Sequence, residues 1–135
     1  MNEDFLNEMT DVIKATDGLK ELRVIKAYEG GRLPFPVTKP VVCLSLEKAD
    51  RMDFLLGYDE CVYGEEKLCV SVLCDESIGA ANCESISKEV CKTILDADKK
   101  KIITSICVEK CMYDKTNFAY KVIMRLSLRE KTSEI

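Results

Sequence analysis

Apolar residues first recur at helical spacing at Phe5, Leu6, Met9, Val12 and Ile13, which share one arc of a 3.6-residue wheel and predict an amphipathic N-terminal helix. Glu3 and Asp4 place negative charge at the positive end of its dipole, and Gly18 is a natural stop. Residues 22–28 (LRVIKAY) are β-rich, and Gly30, Gly31, Pro34, Pro36 and Pro40 then break the chain over 29–40, which reads as a loop within one domain. Strand alternation returns in 41–47 (VVCLSLE), with Val42, Leu44 and Leu46 on one face. It recurs in 67–74 (KLCVSVLC), with Leu68, Val70, Val72 and Cys74 aligned. From Glu47 through Glu66, seven carboxylates stand against Lys48 and Arg51, around Phe54, Leu55 and Leu56. Two readings of this acidic excursion stay open: a further strand or projecting hairpin, and a solvated loop.

The strongest helical pattern runs over 78–97. Cys83, Ile86, Val90, Ile94 and Ala97 define its apolar face, with Ala80, Ser87 and Cys91 beside them, and Asp75 or Ser77 is the expected N-cap. The last third predicts a long hairpin, with one arm over 101–112 (KIITSICVEKCM), a polar turn over 113–117 (YDKTN) and a return over 118–130. In the return arm Tyr120, Val122, Met124, Leu126 and Leu128 alternate with Lys121, Ile123, Arg125, Ser127 and Arg129. One face of that arm meets a core, and the other meets water or a partner. The fold class expected is α+β: a mainly antiparallel sheet carrying an N-terminal helix and a second amphipathic helix, ending in a long C-terminal β-hairpin.

Length and composition fit one domain over 1–135: the chain is 47% hydrophobic and 33% charged. The acidic N-terminus does not read as a secretory leader, and no apolar run is long enough to span a bilayer. Eight cysteines would suggest a disulfide framework in a secreted protein, but they lie among Val, Ile and Leu in strand-like and helix-like positions, which favours reduced, buried thiols. A zinc site fails on spacing, because there is no C-x-x-C pair and no histidine.

With no imidazole, Ser-His, Cys-His and His-metal arrangements are excluded. Ser85-Ile86-Ser87-Lys88 matches S-x-x-K, but the S-D-N and K-T-G elements of that chemistry are missing. Helical geometry also turns Ser85 and Lys88 toward solvent. No glycine loop has the context of a phosphate cradle. No catalytic, cofactor-binding or metal residue is therefore assigned, no cofactor is expected, and the chain reads as a non-enzyme.

Charge is uneven. Residues 1–98 carry 11 basic and 20 acidic side chains, net −9, whereas 99–135 carry 9 basic and 4 acidic, net +5. Overall acidity and the lack of a reader motif argue against sequence-specific nucleic-acid binding. A dipolar subunit suits head-to-tail association, in which rotation closes a ring. The candidate interface is the outward row Lys121, Arg125 and Arg129, with Asp50, Asp53, Asp59 and Glu60 as its acidic complement.

The order helix, strand, Pro-rich loop, strands, amphipathic helix and C-terminal hairpin resembles the tail terminator and tail-completion proteins of tailed bacteriophages and phage-derived tail particles. The texture is closest in KLCVSVLCDESIGAANCESISKEVCKTIL and KKIITSICVEKCMYDKTNFAYKVIMRLSLRE, with Tyr113-Asp114 in the turn and Phe118-Ala119-Tyr120 in the aromatic return. The resemblance spans roughly residues 1–130 and lies in segment order. It implies a homo-oligomeric, hexameric ring that caps the tail tube, ends its polymerisation and offers the docking surface for the head-tail connector. In contractile systems such a ring also meets the sheath. It further implies assembly in the bacterial host cytoplasm and a place in the virion tail or neck. The alternatives are a head-tail connector or other neck protein, and an unrelated intracellular binding domain.

Overall fold

The computed structural model describes residues 3–19, 22–26, 40–53, 61–115 and 118–129; for Glu3, residues 48–53 and residues 61–65 it describes the backbone alone. The chain order is α1 (Glu3–Ala15), a single 3-10 turn (Asp17–Leu19), β1 (Arg23–Lys26), β2 (Val41–Asp53), β3 (Cys61–Asp75), α2 (Gly79–Ala97), β4 (Ile103–Val108), β5 (Met112–Asp114) and β6 (Ala119–Leu128). The strands form one sheet in the order β1-β2-β3-β6-β4, with β5 also on β6. Among the described residues only β1 and β2 pair in parallel; the other pairings are antiparallel. This is the α+β architecture expected from the sequence.

Strand alternation explains why one face holds the core. Leu44, Val70 and Met124 lie side by side across β2, β3 and β6, as do Val42, Val72 and Val122. All six are buried, and each such side chain removed from water contributes about 1.5–3 kcal/mol. Phe5, Met9 and Ile13 of α1 and Cys83, Val90 and Ile94 of α2 close over this face. The buried polar residues Thr10 and Ser87 bond back to the carbonyls of Leu6 and Cys83, so neither hydroxyl is orphaned. On the opposite face Val41, Leu73 and Ala119 make a small second cluster with Ile25.

Several local expectations change. The N-cap of α2 is Ile78, with no side-chain cap; Ser77 and Asp75 hydrogen-bond each other instead. The helix still begins cleanly because Gly79 adopts φ +82, a left-handed conformation that costs glycine little. The predicted 101–112 arm is two strands. Val108 pairs Met124 and Met112 pairs Lys121, so one extra residue on the first arm interrupts the ladder at 109–111.

The longest hairpin is β2–β3, of 13 and 15 residues. The acidic excursion is the outward continuation of these two strands, which fits the projecting-hairpin reading; residues 54–60 lie outside the described residues. β1 pairs only residues 41–44 of β2, and β6 pairs only residues 67–75 of β3. Among the described residues, 48–53 and 61–66 therefore pair with each other and with no third strand, as a two-stranded ribbon reaching roughly 20 Å past the sheet at about 3.3 Å per residue.

Candidate assembly surface

The basic row predicted on β6 is placed by alternation on the face of the sheet opposite the helices, but its three members have different surroundings. Lys121 is half-buried and sits between Leu73 of β3 and Met112 of β5 in the pairing register. Arg125 is one-third exposed and is committed within the subunit: its Nη1 donates to a Glu109 oxygen, and its Nε lies 3.7 Å from Glu47 Oε2. The hydrogen-bonded Glu109 carboxylate, with its charge, holds this guanidinium further above its ordinary value. Arg129 is exposed just beyond β6, and its backbone N–H donates to the Ile102 carbonyl at 2.7 Å.

That last bond brings Arg129 to the turn between α2 and β4, where a basic corner is built from local rules. Asp98 follows the last residue of α2 and is 5% exposed. Its two carboxylate oxygens accept the backbone N–H groups of Ile102 and Ile103, each at 2.9 Å. The clamp fixes the turn with Lys101 at φ 55, and leaves Lys99, Lys100 and Lys101 exposed beside Arg129. Of the acidic candidates, Asp50 and Asp53 lie in the β2 half of the ribbon, opposite Gly64 and Cys61; their side chains, and all of Asp59 and Glu60, lie outside the described residues.

Sequence reasoning missed a groove between α2 and residues 108–111, at the end of β4. It encloses about 610 Å³ over Cys91, Val122 and Met124, and is flanked by Leu95, 40% exposed, and Val108, 55% exposed. Its signal was the apolar pair Cys91 and Leu95 at i,i+4, just outside the buried arc of Cys83, Ser87, Val90 and Ile94. Lys88 and Lys92, with Glu84 and Asp96, line the helix side of the groove.

The cysteines are largely core groups. Cys43, Cys69, Cys74 and Cys83 are buried, Cys91 and Cys111 are half-buried, and Cys107 alone among those described is exposed. Burial pushes the thiols of Cys43, Cys69 and Cys91 up. Cys83, on which the Cys74 and Cys111 thiols converge, is raised by its hydrogen bond with Cys74 and by burial. No helix among the described residues is long and apolar enough to cross a membrane. No protein-family model matches the sequence, and no curated protein matches it.

Proposed function

We propose that this chain is a structural subunit of the tail terminator or tail-completion kind, a non-enzymatic building block that associates with its own copies into a ring at the end of a tail tube. The resemblance in segment order supports the reading, and the α+β architecture with both helices on one sheet face is compatible with it. The observation that carries it is the β2–β3 ribbon. Among the described residues no third strand pairs with this ribbon, and a two-stranded ribbon by itself is marginal in water, so arms of this length are expected to dock on a neighbour. The hexameric state, the tube, sheath and connector contacts, and the position in the virion tail or neck belong to the same proposal.

Tail tubes incubated with the labelled full chain and imaged by electron microscopy test it. Label confined to one tube end is expected. Label on the portal side of the neck would reassign the chain to a head-tail connector, and label on neither would leave an unrelated binding domain.

A further inference from the structure

β4 is an edge strand. It pairs with β6 on one side, and no other strand among the described residues pairs its outer side. Exposed edges are usually guarded by charge, proline or a bulge, because their free N–H and C=O groups template pairing with another chain. The six residues of β4, ITSICV, contain neither a charge nor a proline, and the single irregularity lies at its start, between Ile103 and Ser105. An apolar groove with Leu95 and Val108 at its rim meets this edge at its last residue, Val108. Such a surface is an aggregation template unless something covers it.

The ribbon has matching properties. Its overhang is six residue pairs long, residues 48–53 against 61–66, and β4 is also six residues long. The ribbon itself carries four carboxylates, Asp50, Asp53, Glu65 and Glu66, against Lys48 and Arg51, and the sequence joining its strands adds Asp59 and Glu60. β4 begins after the exposed Lys99, Lys100 and Lys101 and is followed by exposed Lys110, with Lys88 and Lys92 across the groove on α2. Glu84 and Asp96 offset part of that charge.

We propose that the β2–β3 ribbon of one copy lies along the outer edge of β4 in the next copy, extending that sheet and reaching the groove between α2 and residues 108–111 at its end. The proposal rests on the self-assembling reading above and names its contact. The two surfaces lie on different parts of the subunit, so the contact is heterologous, and it builds a ring when its rotation closes. Main-chain pairing along β4 supplies affinity, and the lysine-to-carboxylate match sets direction.

A charge swap in the full chain tests the contact. Asp50→Lys with Asp53→Lys reverses the ribbon, and Lys99→Glu, Lys100→Glu and Lys101→Glu reverses the β4 approach. Each set alone is expected to weaken self-association at least tenfold in sedimentation, with circular dichroism unchanged. A one-to-one mixture of the two variants, or all five changes in one chain, is expected to restore it. A second measurement uses wild-type protein mixed from 14N and 15N pools and joined by a zero-length carbodiimide. Links between chains are expected to run from Lys99, Lys100 or Lys101 to carboxylates of the ribbon. Assembly indifferent to both reversals, or links between chains confined to other surfaces, would overturn this docking while the tube-end assay still decides the ring reading. A chain that stays monomeric at millimolar concentration overturns the docking as well.

Discussion

The Arg125 guanidinium on β6 lies between two carboxylates of its own chain, donating to Glu109 with Glu47 Oε2 at 3.7 Å from its Nε. A residue that the hydrophobic alternation marks as an outward cation is thus spent largely inside the subunit. Arg125→Glu would gather three carboxylates at one place, so its expected effect is a lower thermal midpoint that recovers when Glu109→Arg is added. Thermal unfolding of the single and double variants, at low and high salt, checks the pairing.

Arg129 behaves differently because it is exposed and belongs to the basic corner. Arg129→Glu is expected to leave the thermal midpoint unchanged and to raise the concentration needed for self-association, most strongly at low ionic strength. Sedimentation across a salt series separates this outcome from the Arg125 effect.

Asp98 is the buried acid of the described residues, and its work is structural. Asp98→Ala removes the acceptor for the Ile102 and Ile103 N–H groups and is expected to cost about 1–3 kcal/mol, measured by denaturant unfolding. Leu44→Ala, in the fully covered row Leu44, Val70 and Met124, is expected to cost more, about 2–5 kcal/mol.

Alkaline pH has a predictable sign. Cys43, Cys69 and Cys91, pushed up by burial, hold their protons above the ordinary thiol value of 9.0, whereas the unfolded chain releases them there. The native state therefore binds more protons above that value, and this contribution is complete below it and lost as pH rises further. Denaturant midpoints are expected to be flat up to about pH 8 and to fall by about pH 10, with Cys→Ser changes at these sites reducing the slope.

Period-two and period-3.6 patterning carried the fold because the core is one-sided: a single helix-covered face makes Val42, Leu44, Val70 and Met124 stand out against polar neighbours. The same logic read α1 from Phe5, Met9 and Ile13. Patterning was blind where pairing, not burial, decides structure. Residues 48–53 (KADRMD) and 61–66 (CVYGEE) show no sustained apolar alternation in the sequence, so the register with one another reveals them as strand. The break at 109–111 is invisible for a similar reason, since one extra residue in the ladder changes no composition.

The candidate surface was legible as charge and not as geometry. The excess of cations after residue 98 was plain, but its concentration at Lys99, Lys100, Lys101 and Arg129 follows from the Asp98 clamp and from the Arg129–Ile102 backbone bond. The partnering of Arg125 depends on Glu47 and Glu109, remote in sequence and brought together only by the β2, β3, β6 and β4 order.

Self-assembly is the claim on which the rest stands, and native mass spectrometry of the purified full chain over a rising concentration series tests it most directly. A closed species of six 15.3 kDa copies, about 92 kDa, is the predicted result, with salt shifting it toward smaller species. A single 15.3 kDa species at every concentration and salt level would contradict it.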